Sequence, residues 1–171
     1  ITAWQSEVIG DTGAYASTGA SIVHQAMYMS TGPYEVPNVK GISYTVYTNN
    51  TYTGAMRGFG ATEAAFAYER QMDCIARDMG WDPAEFRLKN AYRIGSRTAN
   101  NQVLTTSVGA VDTILTARKH FGHKGVPAAP HKKRGAGMAT IMFGCGYGEG
   151  FPDHSIAGAQ VTDEGRVLIN S

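Results

Sequence analysis

Thr53-Gly54-Ala55-Met56-Arg57-Gly58-Phe59-Gly60 runs straight into the strongest helical pattern of the chain, Ala65 to Met79. Three glycines within seven residues let a backbone take positive φ and come close to a ligand. Arg57 adds a fixed cation with a planar fork of donors, and Phe59 a flat apolar platform for a planar substrate. Taken alone, the pattern G-x-x-x-G-x-G equally describes a tight turn before a helix. The helix itself is clear: Ala65, Tyr68, Met72, Ile75, Ala76 and Met79 recur at three- and four-residue spacing. Arg70, Asp73, Arg77 and Asp78 lie mainly on the other face, and Gly80 stops the helix. A short second helix follows, with Asp82 as N-cap, Pro83 at its first position and Glu85 in its first turn.

Working outward, residues 3–9 read as a strand, closed by a turn at Gly10-Asp11-Thr12-Gly13. Ser17 to Ser30 reads as a helix with Ile22, Ala26 and Met29 on one face. Pro33 and Pro37 fix an extended bend over Tyr34 to Asn38. Val39 to Thr48 alternates through Ile42, Tyr44 and Val46 as a strand does. Val108 to Phe121 reads as a third helix with Val111, Ile114 and Leu115 buried. Gly122 to Pro130 reads as a linker. Strands are expected over 135–142 and 155–161, and Thr162-Asp163-Glu164-Gly165 as a hairpin turn into a last strand. Strands mixed with helices, without regular βαβ alternation, point to the α+β class with mixed sheets and packed helices.

Composition narrows the function. The 171 residues carry a net charge of +1 with Lys and Arg scattered, so no footprint for nucleic acid or an anionic membrane is visible. The one basic run, His131-Lys132-Lys133-Arg134, sits beside Pro127 and Pro130 and reads as a solvated linker edge. No apolar run is long enough to span a bilayer. The two cysteines, Cys74 and Cys145, form no metal spacing and suggest a reducing compartment. With Ile1-Thr2-Ala3-Trp4 carrying no secretory signal, the expectation is a cytoplasmic protein. The first and last residues both read as strand, which suggests an internal piece of a larger polypeptide.

Few residues offer chemistry of their own. No nucleophile triad is evident, and the five histidines lack H-x-x-x-H spacing. His24 reads as a packed histidine rather than a ligand. Glu69 stands near the apolar side of its helix, where a structural hydrogen bond is a better reading than catalysis. Gly144-Cys145-Gly146-Tyr147-Gly148-Glu149-Gly150 would serve equally as a phosphate-binding loop or as a flexible connection.

The order and spacing of several motifs carry a resemblance. They are Gly10-Asp11-Thr12-Gly13-Ala14-Tyr15-Ala16, Tyr34-Glu35-Val36-Pro37-Asn38-Val39, Val46-Tyr47-Thr48-Asn49-Asn50, the loop 53–60, and Glu69-x-x-Met72-Asp73-x-x-Ala76. Gly80-Trp81-Asp82-Pro83-Ala84-Glu85-Phe86-Arg87 and Lys89-Asn90 complete the set. Together they resemble the large subunit of the molybdenum hydroxylases, the family of xanthine dehydrogenases and aldehyde oxidases, over nearly the whole chain.

The resemblance implies a molybdopterin cofactor, alone or as a dinucleotide, with molybdenum, and hydroxylation of an N-heterocycle or aldehyde with water as the oxygen source. Iron–sulfur clusters and FAD would sit on other domains or subunits of an oligomeric enzyme. Residues 1–125 would be the C-terminal part of a first molybdopterin-binding domain, 126–134 a linker, and 135–171 the start of a second. Arg57 would be catalytic, stabilising negative charge that develops on the substrate. Phe59, Gln25 and Met56 would bind substrate, and Gly58 and Gly60 would approach the cofactor. Met56 stands where relatives often carry another aromatic. Gln25 falls where purine-oxidising members carry a second arginine, and Ala61-Thr62-Glu63 replaces a usual Gly-Pro-Gln. The catalytic glutamate and main pterin contacts of the family fall outside these residues, so the piece alone is not expected to be active. A second reading, from a different class, is a non-catalytic cofactor-binding or scaffold subunit of the same family.

Overall fold

The computed structural model describes residues 1–120, 131–133, 135–144, 146 and 154–170. The strand β1, Trp4–Gly13, pairs in parallel with β2, Val39–Tyr47, and the helix α1, Gly19–Tyr28, crosses between them. The register runs from Trp4 opposite Val39 to Asp11 opposite Val46, then bulges before Gly13 meets Tyr47. The segment 10–13, expected as a turn, is therefore the end of the strand. Its bulge and buried Thr12 let the pairing continue as far as Gly13. This β1–α1–β2 unit is a parallel crossover of the kind that the sequence pattern did not suggest.

The helix α1 lies very close to the sheet because glycines stand beneath it. A Cβ at Gly10 would come within 2.1 Å of Val23 Cγ2, and one at Gly41 within 2.6 Å of Met27 Sδ. The buried face of α1 is Gly19, Val23 and Ala26, while Ile22 and Met29, expected inside with Ala26, are only half-buried. His24 is exposed against the Tyr28 ring, which corrects its reading as a packed histidine.

The helix α2, Ala61–Asp78, begins a turn earlier than its apolar pattern suggested, directly after Gly60. It buries Ala61, Ala64, Tyr68, Glu69, Met72 and Ala76, whereas Met79 at its C-cap is exposed. Met72 and Ala76 join Ala26, Tyr34, Ala64, Tyr68 and Phe86 in the core, with Trp4, Val8 and Ile75 packed against it. The helix α3, Pro83–Asn90, starts as expected: the Asp82 carboxylate accepts hydrogen bonds from Ala84 N and Glu85 N at 3.0 and 2.9 Å. Past α3, Tyr34 bridges to Ala91, and Glu35 accepts from Ser96 Oγ and Arg97 N, which fixes the proline-framed bend.

The helix α4, Ala110–His120, buries only Ile114; Leu115, expected inside, is 46% exposed. Arg118 ties α4 to Glu85 of α3. Residues 135–142 form no strand. No strand pairs with them among the described residues, and Thr140 O instead accepts a hydrogen bond from Tyr68 Oη at 3.1 Å. The hairpin is as expected: β3, Gly158–Val161, pairs antiparallel with β4, Val167–Asn170, through the turn at 162–165. The expected linker 122–130 and most of the glycine-rich run 144–150 lie outside the described residues. Helices and small sheets of both kinds make this an α+β molecule.

Candidate functional site

The loop from Thr53 to Gly60 owes its shape to glycines and to the helix behind it. Phe59 N donates to Met56 O at 2.9 Å and Ala61 N to Gly58 O at 2.9 Å, so the chain turns twice before α2. Gly58, Phe59 and Gly60 take φ of 106°, 48° and 93° in succession. For a bulky side chain such as Phe59, this left-handed backbone costs on the order of 1–3 kcal/mol and persists only where its surroundings enforce it. Gly60 supplies the enforcement. A Cβ there would stand 2.2 Å from Ile22 O and 2.9 Å from Ala26 N, so main chain rests on main chain. Gln25 belongs to the same turn of α1 and is half-buried.

The structure thus brings Arg57, Gly58, Phe59 and Gly60 into one turn against the part of α1 that carries Gln25. Met56 is 73% exposed at the tip, Arg57 is exposed, and Phe59 is half-buried. Arg57 has no ion-pair or hydrogen-bond partner among the described residues, so its donors are free for a ligand. The positive end of the 18-residue helix α2 opens beside it, with no side chain capping that end. Both features favour an anion or developing negative charge at this place. Glu63 in the first turn works against them, although Thr62 Oγ1 donates to it at 2.8 Å.

Farther along α2, a buried polar network joins it to α3 and Tyr34. Arg87 is fully enclosed and bonds Glu69 through Nε at 2.9 Å, Asp73 at 2.8 Å, and Pro83 O at 3.2 Å. Tyr34 Oη donates to the other Glu69 oxygen at 2.5 Å. Burial, and then the neighbouring Glu69, push the Tyr34 phenol above its ordinary range; the same two causes act on Tyr68. Desolvation disfavours the charged form of Arg87, but Asp73 and Glu69 outweigh it and raise its pKa. Every Glu69 oxygen is occupied, so this acid is structural. The place of Glu69 on an apolar face is legible in the sequence; its partner Arg87, on another helix, is not.

A groove of about 740 Å³ lies elsewhere, between β1 and α2, lined by Trp4, Val8, Ala26, Ala64, Tyr68 and Ile75 among others. Neither Arg57 nor Phe59 lines it, so it is separate from the loop. No three His, Cys, Asp or Glu side chains converge as a metal-ligand set among the described residues.

Residues 1–91 match the family model of the molybdopterin cofactor-binding domain, more than half of the chain. The chain belongs to the molybdenum hydroxylase family of xanthine dehydrogenases and aldehyde oxidoreductases, as part of the large molybdopterin-binding subunit. It is 44% identical over 119 residues to the nicotinate dehydrogenase large molybdopterin subunit of Eubacterium barkeri, covering 70% of this chain and 28% of that one. Among solved structures it resembles the aldehyde oxidoreductase of Desulfovibrio gigas, with a TM-score of 0.64 and 35% identity over 70% of this chain and 13% of that one. The quinoline 2-oxidoreductase of Pseudomonas putida 86 gives a TM-score of 0.64 at 28% identity over 70% of this chain and 16% of that one. The chain therefore spans less than a third of the length of these relatives.

Proposed function

We propose that this chain lines the reaction pocket of a molybdenum-dependent oxidoreductase that hydroxylates an N-heterocycle or an aldehyde, with water as the oxygen source. One observation carries the reading: an exposed Arg57 with free donors and a half-buried Phe59 share a turn held in three successive positive-φ conformations. Relatives named for nicotinate and quinoline favour the heterocycle. Phe59 stacks on the flat ring, and Arg57 holds the negative charge that grows on a ring nitrogen or carbonyl oxygen. Gln25 can hydrogen-bond the substrate without neutralising it, and Met56 offers a soft apolar contact.

The residues present fit a molybdopterin. Gly58 and Gly60 serve the cofactor through the left-handed turn they allow, since Thr62 and Ile22 fill the space a Cβ would take, and Arg57 with the start of α2 suits its anionic groups. When bound, the cofactor supplies the two-electron oxidation of a C–H bond. In the same reading, 1–125 and 135–171 belong to consecutive cofactor-binding domains joined by 126–134. Iron–sulfur and FAD domains or subunits of an oligomeric, cytoplasmic enzyme take up the electrons, with no part for nucleic acid or membrane. Among the described residues no helix is long and apolar enough to cross a membrane.

The test uses the full-length subunit with its redox partners, assayed for bound molybdenum and for turnover of nicotinate and benzaldehyde in isotopically labelled water. Bound molybdenum and label in the product support the reading. A folded protein without molybdenum, or product oxygen drawn from dioxygen, overturns it. Bound cofactor with neither probe oxidised favours the non-catalytic scaffold.

A further inference from the structure

Asp11 lies outside the loop 53–60, yet it gathers the segment leading into it. Its Oδ1 accepts hydrogen bonds from Thr48 Oγ1 at 2.7 Å and from Gly13 N at 2.8 Å, and its Oδ2 from Asn50 Nδ2 at 2.6 Å. Its main-chain oxygen accepts a fourth, from Thr53 Oγ1 at 3.1 Å. Main-chain bonds follow the same path: Thr48 N to Gly13 O at 3.0 Å, Ala14 N to Asn50 O at 3.1 Å, and Thr53 N to Thr12 O at 3.1 Å. At Gly13 the two segments touch so closely that a Cβ would stand 2.4 Å from Thr51 O.

The chain leaving β2 is therefore folded over the tip of β1 and released at Thr53, four residues before Arg57. The far end of the loop is fixed by Gly60 on α1. Between these anchors lie Met56, Arg57 and Phe59, tied by the turn from Phe59 N to Met56 O. With both ends held, the place where Arg57 stands is set by where the first anchor sits. Charge-assisted bonds of this length are stronger than neutral ones, so an exposed carboxylate can hold that anchor.

We propose that Asp11 is a positioning residue for the Arg57–Phe59 pair, acting through Thr48, Asn50 and Thr53. The catalytic meaning of that placement rests on the function proposed above; the placement itself is measurable without it. The competing account is that Asp11 merely stabilises the sheet.

Amide hydrogen exchange on the ligand-free full-length subunit separates the two. Asp11→Ala is expected to speed exchange over residues 51–60 about tenfold or more, while α2 residues 64–76 stay within about twofold of wild type. Asp11→Asn, which keeps an acceptor for Thr48 and Gly13, should restore most of the protection. If Asp11→Ala does not fold, Thr48→Val removes one of the same bonds and should act in the same direction. In turnover, with whichever of nicotinate or benzaldehyde the wild type oxidises, Asp11→Ala should lower kcat per bound molybdenum about tenfold with little change in KM. Unchanged exchange over 51–60, or equal acceleration through α2, overturns the proposal, as does a drop in melting temperature with kcat per metal intact. Should neither probe be oxidised, the function proposed above is at fault and the exchange result still decides the role of Asp11.

Discussion

Arg87 joins α3 to α2 from within the core. A guanidinium with no exposed surface is tolerated because Glu69, Asp73 and two main-chain oxygens take up its donors. Replacing Arg87 with Met would leave Glu69, 7% exposed, as an uncompensated buried charge. The expected loss is about 3–5 kcal/mol of stability, read as the shift in a denaturant midpoint. A loss no larger than that of an exposed arginine such as Arg77 would contradict the network. Tyr34 and Tyr68 add a pH dependence. Burial and then Glu69 raise both phenols above their ordinary value, so the folded chain keeps protons that the unfolded chain gives up above about pH 10. The unfolded state then binds fewer protons, and stability falls as pH rises through that range. Melting temperatures that stay level from about pH 8 to pH 11 would contradict this. None of this was legible as a pair in the sequence: Glu69 and Arg87 belong to different helices, and only tertiary packing brings them together.

Among the elements, the helices were the most legible, because an apolar stripe and a cap are local signals. The Asp82-Pro83 start of α3 and the run of α2 could be read directly, since each is written within one turn or one face. The strand from Gly10 to Gly13 was misread because Gly-Asp-Thr-Gly is also good turn chemistry; only the bulge and the pairing with Val46 and Tyr47 show its use. The stretch 135–142 reads as a strand but has no partner strand among the described residues, and a local sequence cannot supply one. Packing gives α2 a sharp test. Met72 is fully buried in the core, so Met72→Ala should cost about 2–5 kcal/mol, whereas exposed Arg77→Ala should cost about 0.5 kcal/mol or less. Similar losses at both, from chemical denaturation, would show that the assigned face is wrong. Half-buried Ile75 should fall between them.

Over the whole molecule, one face of the β1–β2 pair is covered by α1, while the other shows Ile9, Tyr44 and Val46 at 68%, 50% and 41% exposure. Parallel strands are ordinarily covered on both faces, and the chain spans 28% of the nicotinate dehydrogenase subunit it matches. The α+β class was legible because strands and helices alternate irregularly along the chain. The candidate site was legible in part: the glycine spacing announced a loop that approaches something closely. That Gly60 rests on α1, or that Asp11 binds Thr48 and Asn50, depends on contacts between segments distant in sequence. The loop is proposed to place Arg57 against charge that appears during substrate oxidation. The most direct test of this role is steady-state kinetics of Arg57→Met in the full-length enzyme, normalised to bound molybdenum. In this variant kcat and kcat/KM are expected to fall together by about a hundred- to a thousandfold, about 3–4 kcal/mol, with metal content unchanged. Turnover per molybdenum equal to wild type would contradict it.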